Sequence, residues 1–215
     1  FYTFGWQSQA AKVTPLCVSM VSSRSATVSS CRVVLVLCEL ARHIFRIALA
    51  GMPDYIRLLI PQVEEFVCEM KDQQELVVRP AARDYGWGMV DKLLQVNPNL
   101  RLDDMRISGL HSFSLSSLVV HAYLGTSYLE TLALNIPTVC FYSAEIYAFR
   151  KSAQPFIDGL AAVGILHQSG EDAARFVLDV MSDPMSWWKR PDVQEARLSF
   201  LRNYANFSTD WATHW

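Results

Sequence analysis

Hydrophobic and polar positions along this chain fall into two alternating kinds of segment. Val33-Val34-Leu35-Val36-Leu37-Cys38, Leu76-Val77-Val78 and Leu118-Val119-Val120 are continuous apolar runs of strand length, the pattern of strands buried on both faces. Between the first two, Ile56, Leu59, Ile60, Val63, Phe66, Val67 and Met70 recur at helical spacing, which predicts a helix over 54–70 that Pro61 kinks or splits. Met89, Val90, Leu93 and Leu94 mark a second helix, Leu100 opens a short strand over 100–103, and a brief helix follows over 107–115. Later come a helix lined by Phe156, Leu160 and Val163 and stopped by Gly164, a minimal strand at Ile165-Leu166, and a helix to about Met181 whose start Ser169 and Asp172 cap. Pro191 suits the first position of a last helix carrying Val193, Ala196, Phe200 and Tyr204 on one face. Strands and helices alternating at this spacing predict an α/β fold: a Rossmann-like parallel sheet with helices on both faces.

The stretch 119–141 organises the rest. Val119 and Val120 close a strand, Gly125, Thr126 and Ser127 make a turn, and an amphipathic helix ends at Asn135-Ile136-Pro137 before the run Thr138-Val139-Cys140-Phe141. In parallel sheets, ligands bind beyond the carboxyl ends of the strands, where a following helix points unpaired N–H groups and its positive dipole end outward. A phosphate at Gly125-Thr126-Ser127 is held by amides and two hydroxyls, with Glu130 one turn in to take a sugar hydroxyl. Ser127 and Glu130 equally fit a capping box, which satisfies the same donors without any ligand. The spacing fits both readings. Arg42, His43 and Arg46 follow the first strand and are either solvated or at a phosphate.

Length and composition narrow the class. The 215 residues are 51% hydrophobic and 19% charged, enough for one α/β domain with a sizeable core, and the net charge of −2 without a basic block argues against a nucleic-acid partner. Cys17, Cys31, Cys38, Cys68 and Cys140 are odd in number and lack a C-x-x-C pair, which suits buried thiols in a reducing cytoplasm and implies no metal. No apolar run reaches the roughly 18–20 residues of a membrane span. Residues 1–32, with six serines between Ser19 and Ser30, read as a poorly ordered leader or the remnant of a missing N-terminal domain, and 33–215 as the folded domain. Trp187, Trp188, Trp211 and Trp215 allow two readings: a sugar-stacking platform, or aromatics that dock a terminal helix.

Several blocks then carry a resemblance. Ala122-Tyr123-Leu124-Gly125-Thr126-Ser127-Tyr128-Leu129-Glu130 with Asn135-Ile136-Pro137-Thr138, Arg79 through Asp84-Tyr85-Gly86-Trp87, Ala153-Gln154-Pro155-Phe156, Gly164-Ile165-Leu166-His167, the pair Trp187-Trp188 and Gln194-Glu195-Ala196-Arg197 occur in an order that resembles sugar transferases of bacterial surface-polysaccharide clusters. Those transferases have a GT-B-type nucleotide-binding half, and the likeness covers roughly 33–215. A looser likeness is to CDP-glycerol glycerophosphotransferases.

The resemblance implies the C-terminal, donor-binding half of a GT-B-type transferase, with the acceptor domain and its general base ahead of this chain. It implies transfer from a nucleotide-activated sugar donor to a glycan or glycolipid acceptor, without metal or further cofactor, in the cytoplasm, either free or in peripheral contact with the inner face of the membrane. Arg79 and Arg83 then take the leaving-group charge beside Gly125, Thr126 and Ser127; Glu130 accepts from ribose hydroxyls and Tyr123 flanks base or phosphate. Arg42, Asp84 and His121 form a second tier of site residues. Two rival classes remain: a non-catalytic nucleotide-binding scaffold, and a serine hydrolase, which the lack of a G-x-S-x-G elbow disfavours. Arg79 has a structural alternative too, an ion pair with Asp84.

Overall fold

The structure, a computed structural model, describes residues 2–3, 13–19, 31–39 and 53–214. Its centre is a six-stranded sheet of β1 (Val33–Val36), β2 (Leu76–Arg79), β3 (Arg101–Leu102), β4 (Leu118–His121), β5 (Thr138–Phe141) and β6 (Leu166–His167). The spatial order is β3-β2-β1-β4-β5-β6 and every pairing is parallel, so the Rossmann-like α/β fold expected from the spacing is the observed one. Eight helices accompany the described sheet: α1 (Pro53–Glu69), α2 (Met89–Val96), α3 (Gly109–Ser114), α4 (Thr126–Ala133), α5 (Gln154–Ala162), α6 (Gly170–Val180), α7 (Pro184–Trp188) and α8 (Pro191–Tyr204).

Strand order follows from side-chain chemistry. All four residues of β1, β2, β4 and β5 are buried, whereas both residues of β3 are exposed, as an edge position allows. Alternate residues of the central strands serve opposite layers. Val33, Leu35, Leu76, Val78, Leu118 and Val120 join the core under α1 and α6, while Val34, Val36, Val77 and Val119 meet Phe113 of α3 on the other face. Each fully buried Val or Leu of this kind contributes about 1.5–3 kcal/mol.

Helix α1 runs unbroken through Pro61, so the expected interruption is not a split into two helices. Leu59 before the proline and Val63, Phe66, Val67 and Met70 after it are all buried in the same core, so burial on both sides outweighs the hydrogen bond that proline cannot donate. Behind α1, the first residue of α6 is Gly170, and a Cβ there would sit 1.8 Å from the Gln62 carbonyl oxygen. Because that obstacle is backbone, the two helices can accept a methyl group only by moving apart. Gly170→Ala is expected to destabilise the fold by about 2–3 kcal/mol in urea denaturation; a loss within experimental error would show that α1 and α6 are not held this closely.

The C-terminal elements are docked by polar atoms on aromatic and cationic residues. Trp188 is fully buried, and its indole N–H donates to the Asn135 backbone and side-chain oxygens at 3.1 and 2.9 Å; Trp187 donates to the Val163 carbonyl at 2.9 Å. A sugar-stacking role for these two is thereby overturned in favour of helix docking, since neither ring face is open; Trp211 is exposed and Trp215 lies outside the described residues. Ser169 caps α6 as expected, accepting from the Asp172 N–H at 3.1 Å, and Pro191 opens α8. Ahead of β1, Val18–Ser19 pairs with Phe207–Ser208.

The five cysteines are free, but Cys31 and Cys68 are exposed, which corrects the expectation of buried thiols for these two: one precedes β1 and the other lies on the outer side of α1. Among the described residues no helix is long and apolar enough to cross a membrane, and no group of three or more His, Cys, Asp or Glu is placed to hold a metal ion.

Candidate functional site

In this strand order the chain leaves β1 toward β2 on one side and resumes with β4 on the other, so the crevice lies past the carboxyl ends of β1 and β4. Four segments meet there: Leu37-Cys38-Glu39 after β1, 80–88 after β2, Ala122-Tyr123-Leu124-Gly125 after β4 and 142–150 after β5.

Glu39 was not singled out by motif, yet it is buried at this edge, and one of its oxygens accepts from the Tyr85 N–H at 3.0 Å. Burial pushes its carboxyl above the usual carboxylate range; the Tyr85 amide pulls back, and the neighbouring Asp84 charge adds to the rise. Asp84 is exposed and shaped differently. A single oxygen accepts from the Gly86, Trp87 and Gly88 amides at 2.7, 3.1 and 3.3 Å, and these bonds hold it below the ordinary value. Its partners are therefore loop amides and the Glu39 carboxyl, not Arg79. The one sequence signal for Glu39 is its place directly after a fully apolar strand run.

On the other side, α4 begins without a side-chain cap: Gly125 occupies the cap position and Ser127 lies inside the first turn. This corrects the capping-box reading. The Ser127 hydroxyl is not spent on a helix amide but sits 3.2 Å from His121 Nδ1 and 3.1 Å from the Tyr123 hydroxyl. His121 is fully buried, and its Nε2 lies 3.1 Å from Thr131 Oγ1, which in turn donates to the Tyr128 carbonyl at 3.0 Å. Burial lowers the imidazole from 6.5 to about 3, so it is neutral at physiological pH. Gly125 is required by its neighbour: a Cβ there would lie 2.0 Å from the Tyr123 ring, which lies along the start of α4. Tyr123 is also within electrostatic reach of Cys38, Glu130 and Tyr147, and this closes the circuit back to β1.

The remaining expected residues separate into two groups. Thr126 is exposed at the first helical position of α4, and Glu130 is half-buried one turn on, with its carboxyl raised by burial and no hydrogen-bond partner among the described residues. Arg83 is exposed past β2 with its guanidinium 4.7 Å above the Tyr85 ring. Arg79, in contrast, points under α3: it donates to Asp103 at 2.6 Å and to the Ile107 carbonyl at 2.9 Å. Its ion-pair partner is Asp103 in place of the Asp84 expected as the structural alternative. Arg42, with His43 and Arg46, lies outside the described residues. Tyr147 and Phe149, packed on Tyr142, wall the β5 side, and the Tyr147 hydroxyl accepts from the Leu124 N–H at 3.3 Å.

Two open grooves of about 440 and 350 Å³ lie elsewhere, at the amino ends of β1–β3, lined by residues such as Lys71, Asn97 and Arg101 or by Arg32 and Glu75. They face away from the strand ends where helix amides and the hydroxyl chain converge, so the chemistry favours the carboxyl edge.

The family model described as LIC12162 family transferase matches residues 1–215. No curated protein matches the chain. Because the match runs from the segment ahead of β1 through α8 without interruption, the chain belongs to the LIC12162 family of transferases.

Proposed function

We propose that the carboxyl edge between β1 and β4 binds the nucleotide of an activated sugar donor, and that the chain is the donor-binding half of a GT-B-type glycosyltransferase that builds a surface polysaccharide or glycolipid. The observation that carries this reading is the uncapped start of α4 at the switch point of the sheet. Its first-turn amides have no side-chain partner among the described residues, an arrangement suited to an anion.

In this reading the donor phosphates face the Thr126 and Ser127 amides, the Thr126 hydroxyl and the exposed Arg83, while Gly125 lets them approach the backbone. Glu130, lacking a partner among the described residues, accepts from ribose hydroxyls. Arg79 supports the site by locking β2 to the segment after β3 instead of touching the ligand. As the bond to the transferred sugar breaks, negative charge grows on the departing phosphate, and fixed amide dipoles with a nearby guanidinium stabilise it without reorganising.

The test is calorimetric titration with CMP, CDP, UDP, GDP and ADP, repeated in Arg83→Ala and Glu130→Ala. One nucleotide is expected to bind, with each variant at least tenfold weaker, about 1.4 kcal/mol. Failure of all five to bind the folded chain at millimolar concentration would remove the proposal in favour of a scaffold role.

A further inference from the structure

The hydroxyls and imidazole beside α4 form a chain whose direction can be worked out atom by atom. Thr131 Oγ1 is 3.0 Å from the Tyr128 carbonyl, which only accepts, so the Thr131 proton is committed there. Thr131 Oγ1 must then accept from His121 Nε2 at 3.1 Å, which places the single proton of the neutral imidazole on Nε2. His121 Nδ1 is left as an acceptor, and the atom within reach is the Ser127 hydroxyl at 3.2 Å, which donates to it. Ser127 Oγ in turn accepts from the Tyr123 hydroxyl at 3.1 Å. Every proton in the chain is directed inward.

We propose that His121 is a positioning residue that turns Ser127 and Tyr123 into acceptors toward the crevice, so that the site selects a ligand presenting a sugar-type hydroxyl at Tyr123 Oη instead of a phosphate oxygen. This rests on the donor-site reading and sharpens it. The Ser127 hydroxyl is not available to a phosphate, although its backbone amide is. Tyr123 Oη, whose proton goes to Ser127, offers only lone pairs outward, and it has no other hydrogen-bond partner among the described residues. With the Glu130 carboxylate in electrostatic reach of Tyr123, the two groups form an acceptor pair that repels phosphate oxygens and suits a diol. Phosphate is left to the amides and Thr126 at the helix start. The arrangement also disfavours Ser127 as a nucleophile activated by His121, because a fully buried, neutral imidazole backed by the Thr131 hydroxyl, with no carboxylate on it among the described residues, resists taking the proton.

Two measurements test the proposal. Long-range 15N–1H spectra of the full chain are expected to show His121 in the Nε2–H tautomer; an Nδ1–H tautomer would overturn the relay. Second, UDP and CDP are compared with their 2′-deoxy and 3′-deoxy forms, with UDP-glucose, and with inorganic pyrophosphate as a phosphate-only probe. Wild-type protein is expected to prefer a hydroxyl-bearing ligand at least tenfold. Thr131→Val, which removes the group that fixes the tautomer, and His121→Gln, which removes the acceptor at Nδ1, are expected to abolish that preference and leave pyrophosphate affinity within about twofold. His121→Asn, which keeps an acceptor at the Nδ1 position, is expected to retain it. Discrimination against the deoxyriboses identifies the ribose as the hydroxyl source; discrimination only between UDP-glucose and UDP identifies the transferred sugar. A preference unchanged in both Thr131→Val and His121→Gln overturns the proposal. If no nucleotide binds, the donor-site reading falls and the selection falls with it, while the tautomer separately reports whether the relay exists.

Discussion

Asp103→Ala is expected to cost about 3–5 kcal/mol of folding stability, the range for removing one partner of a buried ion pair. The Asp103 side chain is 2% exposed and lies between two cations: Arg79, itself buried, donates to it at 2.6 Å, and Arg32 pairs with its other oxygen. Ser112 Oγ adds a bond at 2.7 Å and the Asp104 amide one at 2.9 Å. Burial alone would raise this carboxyl, but Ser112, Arg79 and the charge of Arg32 together hold it below 3.8. Removing it leaves the Arg79 guanidinium beneath α3 with only the Ile107 carbonyl as partner among the described residues. Asp103→Asn, which keeps an acceptor and loses the charge, is expected to cost less. Urea denaturation followed by circular dichroism measures both, and a loss under about 1 kcal/mol for Asp103→Ala, the value of an exposed pair, would mean that water screens the cluster. Because the folded pKa is lowered, the same group stabilises the protein above its unfolded value and loses that contribution as pH falls through the folded one.

Acid is expected to weaken the fold earlier than carboxylate titration explains, and His121 is the reason. The unfolded chain protonates this histidine below about 6.5, whereas burial delays protonation of the folded chain to about 3. Between those values the unfolded state binds the extra proton, so stability falls as pH falls, by up to about 1.4 kcal/mol per pH unit. His167, also lowered by burial, acts in the same direction, while the raised Glu39 and Glu130 act in the opposite one. Comparing wild type with His121→Asn at each pH isolates the His121 contribution. Between pH 6 and pH 4.5 the wild type is expected to lose about 2 kcal/mol more than the variant. Parallel pH dependences would show that the imidazole titrates in the folded chain, and the neutral relay beside α4 would be abandoned with it.

How much of this was legible beforehand depended on distance along the chain. Val33-Val34-Leu35-Val36 and Leu118-Val119-Val120 announce buried parallel strands because each lacks a polar face, and Ser169 and Pro191 announce helix starts because their chemistry acts within one turn. The position of Gly125-Thr126-Ser127 at a strand end was legible for the same reason. What Ser127 does there was not: a serine three residues before a glutamate fits a cap by sequence, and only the packed helix shows the hydroxyl turned to His121. Ser127 and Thr131 at i and i+4, on one helix face near a strand-end histidine, are the faint signal that was present.

The hydrophobic pattern by itself therefore determined the layers of this protein, its parallel strands and the place of Gly125-Thr126-Ser127 beyond the end of a strand, because burial and local capping are properties of short segments. Tertiary structure alone decided which charged group meets which. Arg79 and Asp103 are 24 residues apart, Glu39 and Tyr85 46, Trp188 and Asn135 53, and Arg197 and Leu132 65. Such pairings carry no periodicity, since they are fixed by strand order and helix placement, and a buried charge or N–H takes whichever partner the completed fold brings within about 3 Å.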